Sequence, residues 1–249
     1  MTLLAVERIK LFTTRSPWWC IVLALGLTIG FAAMISAVPG HDFQMTVNDS
    51  QSGYQFGMVV IMVMAALAVT TEYRFSTIRT SFQAVPNRTA VLLAKTAVVG
   101  LVAGVVGEAS AFGAWAIARA IRPGPLMNLD TAQAWRNVAG IGLVYLVAAV
   151  IAVAVGILIR QSAGAIAILL VYALLVENLV QIIPKVGRTI HNWMPFTVGD
   201  HFLNAGAPLA ADRAVSPMPL GAWPSLAYFA GIAAVLLVAS LVVANRRDA

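Results

Sequence analysis

The residue types that could carry out chemistry are few in this sequence and lie far apart along the chain. Three histidines, His41, His191 and His201, fall between the apolar stretches and lack the spacing of metal ligands. The single cysteine, Cys20, excludes an internal disulfide and a cysteine-based metal cluster. The sequence has no G-x-x-x-x-G-K-[ST] phosphate loop, no H-E-x-x-H motif and no G-x-S-x-G motif. We therefore expect no catalytic site, no metal and no cofactor on this chain.

Two acidic residues lie inside apolar stretches, where a charge is costly and therefore marks a candidate functional site. These are Glu108 and Glu177, the second of which is followed by Asn178. In one interpretation, Glu108, Glu177 and Asn178 line a path for a substrate through the membrane. In the other, the carboxyl groups form hydrogen bonds with neighbouring helices and have a structural role.

Residues 72–86 carry a different pattern, typical of an amphipathic helix. Apolar residues recur there at helical spacing, at Phe75, Ile78, Phe82 and Val85. Arg74 and Arg79 flank this stripe, Glu72 begins the segment, and Pro86 ends it. A short helix of this kind either anchors a loop at the membrane surface or docks into a partner protein.

The composition indicates the environment of these residues. Of 249 residues, 60% are hydrophobic and 10% are charged, and the mean hydropathy is +0.87. The apolar stretches are continuous and helix-length, which excludes both a soluble domain and a membrane β-barrel. We expect a single all-α integral membrane domain over residues 1–249. Its predicted spans are residues 18–38, 53–71, 92–118, 138–159, 164–183 and 225–243.

The distribution of basic residues predicts the orientation of the six spans. With the N-terminus in the cytoplasm, ten Lys and Arg residues fall in the inner segments and six in the longer outer ones. The positive-inside rule therefore predicts that both termini are cytoplasmic. The helix at 72–86 then lies inside, and the proline-rich loop 184–224 forms a structured external cap. Because the basic residues are scattered, they indicate contact with lipid and no nucleic-acid partner.

Three segments resemble ABC type-2 permeases of the small six-helix kind found in actinobacteria. Residues 7–19 (ERIKLFTTRSPWW) are similar to the family's E-x-x-K-(L)-x-(S/T)-x-R-S-x-W-W. Residues 72–95 are similar to its E-Y-x-x-x-T-I-R-x-x-x-x-A-V-P-x-R-x-x-(V)-L-x-A-K, and residues 193–199 (WMPFTVG) to its W-L-P-F-x-x-G. One departure is Ser76, where many relatives have glycine.

This resemblance implies a type V exporter-like fold and a permease subunit of an ATP-driven exporter in a bacterial cytoplasmic membrane. Two such subunits, identical or different, would pair, and two copies of a separate ABC ATPase would carry ATP and Mg²⁺. The helix at 72–86 would be the coupling element, with Glu72, Arg74, Phe75, Ile78, Arg79 and Phe82 at the ATPase. The cargo would be drug-, lipid- or peptide-like.

Two other functions also fit the residues. A secondary transporter could use Glu108 and Glu177 to carry protons, and it would need no ATPase. A non-transporting scaffold or immunity protein would not influence ATP hydrolysis in any partner.

Overall fold

The computed structural model describes residues 2–38, 44–85, 87–184, 186–205 and 220–247, apart from the side chains of Arg79 and Ala84. Twelve α-helices lie in these ranges: α1 (Leu3–Thr13), α2 (Arg15–Ser36), α3 (Val47–Ser50), α4 (Tyr54–Arg74), α5 (Thr77–Ala84), α6 (Arg88–Ile121), α7 (Ala132–Ile159), α8 (Ser162–Val171), α9 (Glu177–Val180), α10 (Gly187–Asn192), α11 (Pro195–Asn204) and α12 (Ala222–Arg247). A 3₁₀ turn covers Pro125–Met127, and a π-helical turn, Tyr172–Val176, joins α8 to α9. His41 lies outside the described residues.

In the described ranges, six helical segments are long and apolar enough to cross a membrane. They are α2, α3 with α4, α6, α7, α8 with α9, and α12. The predicted all-α fold with six spans is confirmed. Several helices are longer than the apolar stretches predicted from the sequence, because polar residues cap them beyond the ends of those stretches. For example, the Asn87 side chain accepts a hydrogen bond from Ala90 N, so α6 reaches 34 residues.

The second, third and fourth spans form the core of the bundle. In each of these spans, 61–72% of the most apolar stretch is buried inside the chain. The corresponding share is 17–22% in the first, fifth and sixth spans. The α6–α7 contact is close at Gly107, where an added Cβ would lie 2.9 Å from Gly142 Cα. The outer spans therefore present their apolar side chains to lipid or to another chain.

Both described ends of the chain lie at one face of the bundle, beside the beginning of α6. Glu7 of α1 pairs with Lys95 of α6, and Asn245 Nδ2 of α12 donates to Thr89 Oγ1 at 3.0 Å. We call this the terminal face. At the opposite, distal face, Asn137 Nδ2 of α7 donates to Asn48 Oδ1 and Asn204 Oδ1, each at 3.0 Å. These bonds hold α3 and α11 against the core.

The predicted helix at 72–86 is divided by a sharp turn. Glu72 and Arg74 belong to the end of α4, and the separate loop helix α5 has eight residues. Between them, Ser76 has a φ of 58°, in the left-handed region. Glycine adopts this conformation without the steric cost that a Cβ adds. A glycine at this position, as in the pattern that the sequence resembles, would remove that cost.

Ser76→Gly should stabilise the protein, because it removes a left-handed conformation that costs roughly 1 kcal/mol in a non-glycine residue. We expect a higher midpoint of thermal unfolding in detergent than for the wild type. The matched control is Thr80→Gly inside α5, which should lower the midpoint since glycine weakens a helix interior. Equal midpoints for Ser76→Gly and Thr80→Gly would contradict this account of the turn.

Candidate functional site

Four charged side chains meet at the terminal face and form what we call the charged cluster: Glu7, Lys10, Glu72 and Lys95. Lys95 Nζ donates to Glu7 Oε2 and, at 2.9 Å, to Glu72 Oε1. Lys10 Nζ donates to Glu7 Oε1 at 2.7 Å and lies 3.6 Å from Glu72 Oε1. The cluster contains two carboxylates and two ammonium groups, so its formal charge is balanced.

Burial makes this balance essential. The side chains of Glu7, Lys95 and Glu72 are 4%, 5% and 13% exposed. A buried ionised group is tolerated when an opposite charge and hydrogen bonds compensate its lost hydration. Each carboxylate in the cluster faces an ammonium group on another helix, so the separation of α1, α4 or α6 would leave a buried charge without its partner. The cluster therefore fixes these three helices relative to one another.

Lys10 extends the cluster to the loop helix. Its Nζ donates to Ser81 Oγ of α5 at 2.9 Å. Burial alone would lower the pKa of Lys10, but the hydrogen bond to Glu7 and the charge of Glu72 outweigh burial and raise the pKa. Lys10 thus remains charged at neutral pH, and α5 is attached to α1 through a charged donor.

The loop helix turns most of its predicted apolar stripe towards the bundle. Ile78 is 5% exposed, and Phe82 is half-buried against the core, with the Arg88 guanidinium 5.6 Å from its ring centre. Phe75 precedes the turn and is 68% exposed, and the guanidinium of Arg74 lies 5.5 Å from the centre of its ring. Periodicity predicted one continuous stripe, whereas the turn at Ser76 separates Phe75 from Ile78 and Phe82, which lie in α5. The coupling role of Ile78 and Phe82 remains a prediction, and the structure shows that Ile78 faces the bundle.

The remaining residues of this segment also fall into two groups, those held in the bundle and those exposed on α5. Glu72 is held in the charged cluster by Lys95 and Lys10. Thr80 and Gln83 are exposed on α5 and are available to a partner. The backbone of Arg79 lies in α5, but its side chain is outside the described part of the structure.

Glu177 forms the cap of another helix. Its Oε1 accepts from Phe196 N at 3.0 Å, and its Oε2 accepts from Thr197 N at 2.8 Å and Thr197 Oγ1 at 2.9 Å. The carboxylate thus receives the free amide groups at the N-terminus of α11, where negative charge is favourable. Pro195 begins this helix, and Glu177 is 3% exposed. These contacts favour the hydrogen-bonding interpretation of Glu177.

Glu108 has a different environment. It is half-buried in α6 and lies over the α7 backbone, so that a Cβ added to Gly142 would be 2.6 Å from Glu108 Oε1. Among the described residues, no hydrogen bond or ion pair involves its carboxyl group, and none joins it to Glu177. Asn178 is exposed at the end of the fifth span and donates to Leu174 O at 3.0 Å. The structure therefore does not bring the three predicted path residues together.

A polar network at the distal face was not found by sequence analysis. Asp200 Oδ1 accepts from Tyr54 OH at 2.9 Å and from Asn204 Nδ2 at 3.0 Å. His201 Nδ1 lies 3.1 Å from Ser225 Oγ, and burial lowers the pKa of this histidine. The network joins α4, α11 and α12. Sequence analysis also did not single out three members of the charged cluster, Glu7, Lys10 and Lys95, although Glu7 and Lys10 lie in the first family-like segment and Lys95 ends the second.

A six-span helical bundle with a helix-bearing loop between its second and third spans is the architecture of a membrane permease. The chain belongs to the ABC-2 transporter family. The family model described as "ABC-2 family transporter protein" matches residues 3–176, which include the charged cluster and α5. The resemblance seen in the sequence is thereby confirmed, and membership implies association with an ABC ATPase. A search of curated proteins gave no match.

Lys95→Met should destabilise the protein by about 3 kcal/mol, because it removes the buried cation between Glu7 and Glu72 and leaves them only the partly exposed Lys10. Thermal unfolding in detergent measures the effect. Lys10→Met is the matched control and should cost less, since Lys10 is 33% exposed. Adding Glu72→Gln to Lys95→Met should recover part of the loss. A Lys95→Met protein as stable as the wild type would show that the cluster does not hold the helices together.

Proposed function

We propose that this chain is the permease subunit of an ATP-driven exporter and that the terminal face receives the motion of a separate ABC ATPase. The observation that carries the proposal is the attachment of α5. One side of the loop helix is fixed to the bundle by Ile78 and by the Lys10–Ser81 hydrogen bond. Phe75 and Arg74, at the turn beside it, remain exposed.

A partner that contacts Phe75 and Arg74 would push on a rigid unit. The turn at Ser76 connects this exposed pair to α5, and the charged cluster connects α5 to α1, α4 and α6. Force applied at the turn is thus delivered to the second and third spans together. The exposed aromatic ring with an adjacent arginine has the composition of a binding hot spot.

In this proposal the terminal face is cytoplasmic, and the distal face with α10 and α11 is external. Two permease subunits, identical or different, would pair through the weakly buried outer spans. The pair would work with two ATPase subunits, which carry ATP and Mg²⁺, in a bacterial cytoplasmic membrane. Their cargo would be drug-, lipid- or peptide-like. Glu108 is the predicted path residue whose carboxyl group forms no hydrogen bond or ion pair within the described ranges.

A proton-driven secondary transporter is the second candidate, and Glu108 is the observation that favours it. A carboxyl group within a span that lacks a partner among the described residues can exchange a proton. The two functions differ in their energy source, so collapse of the proton gradient should stop the second and leave ATP-driven export intact.

Phe75→Ala should weaken binding of the ABC ATPase that co-purifies with the full-length chain. We expect a loss of roughly fivefold or more in affinity, since hot-spot truncations cost more than about 1 kcal/mol. Stability should not change, because Phe75 is exposed. The matched control is Phe56→Ala, which removes an exposed ring at the start of α4 on the distal face.

The measurements are ATPase affinity by surface-immobilised binding and hydrolysis in reconstituted membranes. Ile78→Ala serves as a second comparison, because its loss should appear in thermal stability as well. Wild-type affinity and hydrolysis with Phe75→Ala would exclude the turn as the ATPase contact.

Single cysteines introduced into a Cys20→Ala parent should report the orientation. Cysteines at Ser52 and Asp130, exposed on the distal face, should react with an impermeant thiol reagent in intact cells. A cysteine at Gln83, exposed on α5, should react only after the cells are permeabilised. Labelling of position 83 from outside would reverse the proposed orientation.

A further inference from the structure

A cavity of about 610 Å³ lies beside the charged cluster, between α1, the start of α2, α4, α5 and α6. Its volume falls within the range of small-molecule binding pockets, about 300–1,000 Å³. Phe75 of the ATPase contact proposed above also lines this cavity, but that proposal assigns no occupant to the cavity itself. The polarity of its walls indicates what it could bind.

The cavity has an apolar part and a polar part. Leu67 and Ala68 of α4 and Val98 and Val99 of α6 line it within the membrane-spanning segments. Hydroxyl groups and the charged cluster line it towards the terminal face. A ligand that matches both parts has an apolar tail and a polar head, so it is an amphiphile.

The threonine hydroxyl groups in the wall already donate hydrogen bonds to backbone carbonyl groups. Thr71 Oγ1 donates to Leu67 O at 2.6 Å, Thr80 Oγ1 to Thr77 O at 2.6 Å, and Thr13 Oγ1 to Lys10 O at 3.0 Å. Thr14 and Thr77 likewise donate to backbone carbonyls. A hydroxyl has one proton and two lone pairs. These side chains therefore offer acceptors to a ligand.

The charged groups in the wall likewise offer hydrogen-bond acceptors rather than donors. The ammonium groups of Lys10 and Lys95 already donate to carboxylates within the cluster. In contrast, Glu72 Oε2 is buried and has no hydrogen-bond partner among the described residues. Because the cluster is balanced in charge, it does not present a net positive field to a cationic head. The polar part of the cavity is thus rich in acceptors and has few free donors.

We propose that this cavity binds an amphiphile with a protonated amine head and an apolar tail. The ammonium group donates to the threonine hydroxyl oxygens and to Glu72, and the tail lies along Leu67, Ala68, Val98 and Val99. The proposal goes beyond ATPase coupling and does not depend on it. Two sources offer this chemistry, namely an aminophospholipid of the surrounding membrane and an amine-bearing cargo.

The test uses the purified full-length chain in phosphatidylcholine nanodiscs and three probes with the same tail: dodecylamine, dodecyltrimethylammonium and dodecanoate. Dodecylamine is protonated at pH 7, since such an amine has a pKa near that of lysine, about 10. The trimethylammonium probe keeps the charge but cannot donate a hydrogen bond. We expect dodecylamine to bind at least roughly tenfold more tightly than either other probe, above the partition into empty nanodiscs. Equal binding of dodecylamine and dodecyltrimethylammonium would overturn the proposal.

Variants locate the binding site. Ala68→Phe places a ring in the cavity and should abolish the preference for dodecylamine. Ala234→Phe is the matched control on an exposed position of α12 and should not change it. Thr80→Val, at an exposed position that should fold normally, removes one acceptor and should weaken dodecylamine binding severalfold. Unchanged binding in both Ala68→Phe and Thr80→Val would show that the amine binds elsewhere.

Lipid analysis separates the two sources. The chain is purified from membranes that contain phosphatidylethanolamine and phosphatidylcholine, and the lipids retained by the wild type and by Ala68→Phe are compared by mass spectrometry. Enrichment of phosphatidylethanolamine in the wild type alone supports a structural lipid at this site. Selective dodecylamine binding without that enrichment supports an amine-bearing cargo.

Discussion

The arrangement of the terminal face depends on the charge of Lys95. A lysine that is 5% exposed inside a helical bundle requires carboxylates within hydrogen-bond distance, and Glu7 and Glu72 meet that requirement from two other helices. The first helix of the chain must therefore lie against the third span, and the end of the second span must lie beside both. Other features of this face follow, including the position of α5 and the cavity behind it.

At the distal face, too, a buried carboxylate is compensated by groups from another helix. Glu177 is compensated mainly by two amide groups and a hydroxyl at the start of α11. The π-helical turn just before Glu177 changes the direction of the residues that follow it in the fifth span. Each face of the bundle is thus closed by a short helix held through a buried carboxylate. The core of α4, α6 and α7 between them packs mainly through apolar side chains, and a buried hydrogen bond from Tyr145 OH to Tyr54 O at 2.6 Å joins α7 to α4.

The sequence was sufficient for the features that depend on local composition. The six spans follow from continuous hydropathy. The spacing of Phe75, Ile78 and Phe82 predicts a helix in this loop, but not the turn at Ser76 that leaves Phe75 outside α5. The charged cluster could not be predicted from the sequence, because Glu7 and Lys95 are 88 positions apart and only the packed helices bring them together. For the same reason, periodicity could not show that Ile78 faces the core while Phe75 does not. An apolar stripe looks the same whether its partner is the chain itself or another protein.

The sequence named Glu108 and Glu177 as path candidates and Glu72 as part of the ATPase-coupling helix, and the environments of these three acidic residues now distinguish them. Glu72 and Glu177 each have contacts that offset the cost of burying a carboxylate, so their presence is explained by the fold. Glu108 is half-buried in a span and has no such contact among the described residues. In a membrane, the open side of this carboxyl faces lipid, a second subunit or a water-filled path, and lipid is the least favourable of the three. A group outside the described residues would therefore best offset its cost, which is why a role in transport is proposed for Glu108 rather than for Glu177.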